Sequence, residues 1–165
     1  MASVRPRQAR EREKGAALVE FALCLPLLLV VIAGIVDFAF LFQRYEVVTN
    51  AAREGARLGA TPAYSGEFGV IRTHVRNYVK TSLGMTDAAL ATVMPTSPEA
   101  VEVVHVVKSY TVGGTPYSIP AIQVRVTYEH PFLLLGPMLS LIGGSFGDTF
   151  DIVATSEMRL EAPGS

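Results

Sequence analysis

Two carboxylates, Glu20 and Asp37, stand within the most apolar stretch of this chain. Residues 16–42 read AALVEFALCLPLLLVVIAGIVDFAFLF, and the sixteen positions between the two acids carry no charge. An ionised carboxylate at the centre of a bilayer costs roughly 2.5–3.5 kcal/mol on insertion scales, so acids kept in such a run call for a role. Asp37 lies toward the outer end. Two readings are open for it: it reaches the headgroup region, or it pairs with a partner helix.

Glu20 has the more specific setting. A basic tail ends in Lys14-Gly15, and Ala16-Ala17-Leu18-Val19-Glu20-Phe21 then opens the apolar helix. A glycine followed five positions later by a glutamate, at the head of an apolar helix, is the pattern of a type IV prepilin cleavage site. A peptidase working at the cytoplasmic membrane face needs an unhindered backbone at the cut, and Gly15 has no Cβ. Cleavage after Gly15 frees an amine on Ala16. In an assembled fibre that amine can meet the Glu20 carboxylate of a neighbouring subunit, where opposite charges attract strongly in low dielectric. The plainer reading of Glu20 is placement at the cytoplasmic interface.

Other chemistry is not indicated. His74, His105 and His130 are scattered, and none has metal-ligand spacing with a cysteine or carboxylate. There is no G-x-S-x-G, no phosphate loop and no H-E-x-x-H. The expectation is a protein without catalytic residues, metal or cofactor. The single cysteine, Cys24, lies in the apolar run and reads as a small apolar side chain facing lipid or a partner helix. With one cysteine, no disulfide can form within the chain, so any outer domain must hold together by packing.

These residues are positioned by a tail, an anchor and a domain. Residues 1–15 form a basic cytoplasmic leader, with Arg5, Arg7, Arg10, Arg12 and Lys14 against Glu11 and Glu13. Residues 16–43 form a transmembrane helix: within it, the stretch after Glu20, extended across Asp37 to Phe42, gives about 22 residues, which at roughly 1.5 Å each span a hydrocarbon core, and no polar stripe marks a soluble face. The basic flank sets the N-terminus in the cytoplasm. Phe38, Phe40, Phe42 and Tyr45 cluster at the other end, where aromatic residues favour the interface. Pro26 removes one backbone bond and is a candidate kink. A cleaved secretory signal is the rival reading, but the run is long for one and no A-x-A site follows closely. Hydrophobic residues are 50% of the chain and charged residues 18%, an excess that the anchor accounts for. Without the leader, nine basic and thirteen acidic residues remain, a net charge of −4 that gives no support for a nucleic-acid surface.

Residues 44–60 continue the helix, which Pro62 stops. Small residues recur along it at helical spacing: Ala51, Gly55 and Gly59 on one line, Ala52, Ala56 and Ala60 on the next. Such a stripe admits close approach by another element, either this protein's own sheet or a partner helix. Arg53, Glu54 and Arg57 read as a solvated charged face, with Glu54 and Arg57 at i,i+3. Residues 61–165 are expected to form an extracytoplasmic α+β domain. Phe68, Ile71, Val75, Tyr78, Val79 and Leu83 recur at spacings of three and four, the pattern of an amphipathic helix over 68–83 that Gly84 ends. After a turn-rich stretch at 95–99, residues 100–112, 117–130 and 149–160 read as three antiparallel strands, the first two joined at Gly113-Gly114. Residues 131–144 (PFLLLGPMLSLIGG) are too short to cross a bilayer. They fit a buried loop or short helix under the sheet, a membrane-surface contact or a partner interface.

Taken together, GAALVEFAL, LPLLL, GIVDF and VVTNAAREGARLGA within residues 15–60 resemble the TadE-like family of tight-adherence pseudopilins. A looser similarity lies in the closing strand, from Glu157 to Glu161. The resemblance implies processing by a dedicated prepilin peptidase at Gly15-Ala16, with the family's glutamate mapped onto Glu20, beside Phe21. It also implies a minor pseudopilin role in a bacterial Flp-type pilus or related secretion machine. The partners implied are membrane lipid, that peptidase and other pilins or pseudopilins. The alternative is an uncleaved, single-pass membrane protein whose outer domain is a binding module.

Overall fold

A computed structural model describes residues 7–95, 100–141, 143–144, 147 and 149–161, with side chains from Lys14 onward. The elements run α1 (Arg7–Ala60), α2 (Phe68–Ser82), α3 (Asp87–Val93), β1 (Val101–Val112), β2 (Thr115–Pro131), α4 (Leu135–Leu141) and β3 (Thr149–Arg159). The expected turn at 95–99 falls, after Pro95, outside the described residues. The chain forms two compact units. One combines α1 up to Ala39 with the segment Phe132–Gly147; the other comprises Phe40–Pro131 and the C-terminal strand.

α1 is 54 residues long and continues through Pro26. The described part of the expected leader, the expected anchor and its extension therefore fall in one helix. A helix of this length measures about 80 Å. It ends at Ala60: the Thr61 hydroxyl donates to the Leu58 carbonyl at 2.7 Å, and the Glu161 N–H donates to the Ala60 carbonyl at 2.9 Å.

The second unit packs a three-stranded antiparallel sheet, in the order β1-β2-β3, against helices. β2 is central and alternates cleanly. Ile122, Val124, Val126 and Tyr128 are buried, while Arg125 between them is exposed and Gln123 and Thr127 are half-buried. Register carries the apolar face across the sheet: Val103 opposes Val124, Val126 lies between Val101 and Ala154, and Tyr128 opposes Ile152. Gly113 and Gly114 join β1 to β2 with φ of 59° and 84°. Consecutive positive φ values are the signature of a type I′ hairpin turn, which matches the right-handed twist of the strands. α2 presents Ile71, Val75 and Val79 to this core, all fully buried. α3 is an element that the sequence pattern does not announce. It is capped by Thr86, whose hydroxyl accepts from the Ala89 N–H at 3.2 Å, and it buries Leu90 and Val93.

The small-residue stripe of α1 sits in this core. Ala51, Ala52 and Ala56 are buried, with Ala60, alongside Gly55 and Gly59. Of the two partners open to it, the stripe meets this chain's own α2 and β2. A Cβ on Gly55 would fall well inside contact distance of Val75 Cγ2 and within 3.3 Å of Val124 Cγ1. On Gly59 it would come within 2.5 Å of Ile122 Cδ1 and 2.9 Å of Ile71 Cδ1. The difference is instructive. Isoleucine Cδ1 atoms are ends that can swing aside, whereas the valine Cγ atoms are fixed at a stiff χ1. Alanine gains up to about 1 kcal/mol of helix propensity over glycine, against an overpacking cost of roughly 1–3 kcal/mol. Gly55→Ala is therefore expected to lower the denaturation midpoint of the second unit, and Gly59→Ala to lower it less. Equal midpoints for the two variants would contradict this reading of the contact.

Candidate functional site

Three groups of residues could carry function, and each sits on α1. The first is the glycine–glutamate pattern. Gly15, Ala16, Glu20 and Phe21 are all helical and exposed. A Cβ built on Gly15 meets nothing within 4 Å, and Phe21 is 60% exposed. The apolar surface continues outward along the helix, with Leu23, Leu27 and Ile35 each at least 65% exposed. Cys24 is exposed among them. This is the inverse of a soluble core helix, in which such side chains are covered. Among the described residues α1 is the one helix long and apolar enough to cross a membrane. It fits a single-pass membrane protein.

The second group centres on Asp37, which is only 1% exposed. Its carboxylate meets this chain's own backbone. Asp37 Oδ1 accepts from the N–H groups of Leu133 and Leu134 at 3.2 and 3.3 Å. Oδ2 accepts from those of Leu134 and Leu135 at 3.0 and 2.7 Å. These amides lead into α4, which begins at Leu135, so Asp37 caps its N-terminal end from a distant part of the chain. Helix N-termini leave N–H groups without intrahelical acceptors, and a carboxylate there satisfies both the donors and the dipole. Leu135 lies against Gly34, where an added Cβ would be 3.4 Å from its Cδ1. Residues 132–141 of the apolar run are thus a loop and short helix, held against the apolar half of α1 at Gly34 and Asp37.

The third group is the charged face at 53–57. Arg57 holds Glu54 in a two-pronged contact, Nε to Oε2 at 3.0 Å and Nη2 to Oε1 at 2.7 Å. The hydrogen bonds from Arg57 hold the Glu54 carboxyl below its usual range, with its charge and that of a nearby His74 adding to the effect against partial burial. Arg53 is exposed. This is the solvated face that the i,i+3 spacing indicates. On the sheet, Glu157 accepts from Lys108 Nζ at 2.6 Å and also from Gln123. Those hydrogen bonds likewise lower its pKa. The histidines stay apart in sequence and role: His130 is buried on β2, and His105 Nε2 contacts the Ser65 carbonyl at 2.6 Å. Among the described residues no three His, Cys, Asp or Glu side chains gather to hold a metal.

The helix that carries Gly15, Glu20 and Asp37 also carries a family match: residues 15–57 fit the family described as TadE-like protein. Over this segment the chain is similar to TadE-like proteins. No curated protein and no solved structure matches the chain. The TadE-like segment runs from Gly15 through both acids to the Glu54–Arg57 pair. It stops short of α2, the sheet and α4.

Proposed function

We propose that this TadE-like chain is a minor pseudopilin. Its leader is removed after Gly15 by a prepilin peptidase at the cytoplasmic face. The mature subunit, beginning at Ala16, takes part in assembling a Flp or tight-adherence type pilus or a related secretion machine. The outer domain lies on the far side of the membrane and contributes contacts, not catalysis. The observation that carries the reading is that the family match begins at residue 15, the residue at which the cut falls, and includes Glu20. The open surroundings of Gly15 support it, because a peptidase must reach and extend that backbone. So does the exposure of Glu20 on an otherwise apolar helix surface, which leaves the carboxylate accessible to a neighbouring subunit.

The experiment is intact-mass analysis and N-terminal sequencing of membrane protein produced with and without the cognate peptidase. With the peptidase, the mature chain is expected to begin at Ala16; without it, at the original terminus. Gly15→Val adds a branched side chain at the cut and is expected to retain the leader under both conditions. A full-length N-terminus in the wild type, with active peptidase present, would refute processing and favour a permanently anchored binding module.

A further inference from the structure

The bonds from Asp37 have a consequence for the segment they hold. Between Pro131 and Gly147 there is no charged side chain. Leu133 and Leu134 are 54% and 42% exposed, an unusual surface for a loop facing water. The segment is anchored to α1 at Gly34 and Asp37. From Phe21 to Phe42 the helix rises about 32 Å, close to the roughly 30 Å depth of a hydrocarbon core. A segment touching Gly34 and Asp37 therefore sits in the outer part of that layer.

We infer that residues 132–141 are a second membrane element, a short re-entrant loop and helix whose exposed leucines contact lipid acyl chains beside the outer end of α1. This rests on α1 crossing the bilayer.

The backbone arrangement fits that environment. Non-helical backbone is tolerated at membrane depth only where its polar groups are satisfied by protein. Asp37 takes the N–H groups of Leu133, Leu134 and Leu135. Pro137 has no N–H to satisfy. The Met138 N–H donates to the Leu134 carbonyl at 3.0 Å. At the other end, the Gly144 N–H donates to the Leu139 carbonyl at 2.8 Å, and the Ser140 hydroxyl turns back onto the Pro137 carbonyl at 2.7 Å. The acid that looks costly in the helix is what lets an irregular segment enter an apolar layer. Lipid is the partner that this reading of α1 already supplies, because Ile32 and Ile35, on the same part of the helix, are exposed as well.

The test uses full-length protein in vesicles of phosphatidylcholine and phosphatidylglycerol. Cys24→Ser removes the native thiol, and a single environment-sensitive fluorophore is placed through Leu133→Cys, Ile35→Cys or Asp87→Cys. Quenching is read with a nitroxide carried on lipid tails and with aqueous iodide. The expected result is that Leu133 follows Ile35: strong quenching by the lipid nitroxide and near loss of quenching by iodide, with Asp87 the reverse. If Ile35 is lipid-quenched while Leu133 behaves as Asp87 does, the re-entrant element is refuted and the spanning helix stands. If Ile35 itself is quenched by iodide and not by the lipid probe, the spanning reading falls and the inference falls with it.

Discussion

Asp37→Ala is expected to free residues 133–135 from α1 while leaving the sheet intact. Four hydrogen bonds to three consecutive amides end on this one carboxylate. Removing it strands those donors in apolar surroundings, where each buried unsatisfied group costs roughly 1–3 kcal/mol. The summed penalty is not fully paid, because the segment has a cheaper escape: it undocks, and its amides find water. The local loss is accordingly expected to be on the order of 3 kcal/mol, enough to convert a mostly docked segment into a mostly open one. Hydrogen exchange of the reconstituted protein checks this. Protection at Leu133, Leu134 and Leu135 should fall by about two orders of magnitude. Protection at Val124 and Val126, in the middle strand of the other unit, should not change. Asp37→Asn keeps one acceptor oxygen but turns an NH2 group toward N–H donors, so it should fall between the wild type and alanine. Unaltered protection at 133–135 in Asp37→Ala would show that something else holds the segment.

That role of Asp37 could not have been read from the sequence. Its partners lie 96 to 98 positions along the chain. Periodicity reports only how neighbours within a few turns share a face, and around Asp37 the helix is apolar on every side. The same limit explains residues 131–144. Their composition demands an apolar partner, but nothing local names Gly34 and Asp37 as the residues that hold them. Where the deciding information is local, the reading is close. The three-and-four spacing from Phe68 onward gives α2, observed as Phe68–Ser82. Alternation at Ile122, Val124 and Val126 gives the buried face of β2. Gly113-Gly114 marks a turn in which both residues have positive φ. α3 escapes because its seven residues, DAALATV, are too few to display a period, and its signal is a single capping threonine, Thr86. The small-residue stripe lies between these cases. Its spacing calls for a close neighbour, but only the fold reveals that Val75 and Val124 occupy the space beside Gly55.

Glu20→Gln carries the second large effect, on assembly. The substitution keeps the shape of the side chain and removes its charge. In the proposed fibre, Glu20 meets the Ala16 amine of a neighbouring subunit. Breaking a low-dielectric pair by removing one partner typically costs about 3–5 kcal/mol, which is two to three orders of magnitude in the association of each subunit. Membrane insertion should move the other way or stay level, because an acid in an apolar helix is itself a penalty. The measurement is the ratio of chain recovered in sheared surface filaments to chain in the membrane fraction. That ratio should collapse for Glu20→Gln at an unchanged membrane level. Gly15→Val should reproduce the defect by a different route: with the leader retained, Ala16 has no free amine to offer. Combining the two substitutions should then be no worse than either alone, since both delete the same contact. Wild-type filament recovery for Glu20→Gln would remove the charge pair from the mechanism, even if the leader is cut after Gly15. An additive double defect would mean that leader removal and Glu20 serve assembly separately.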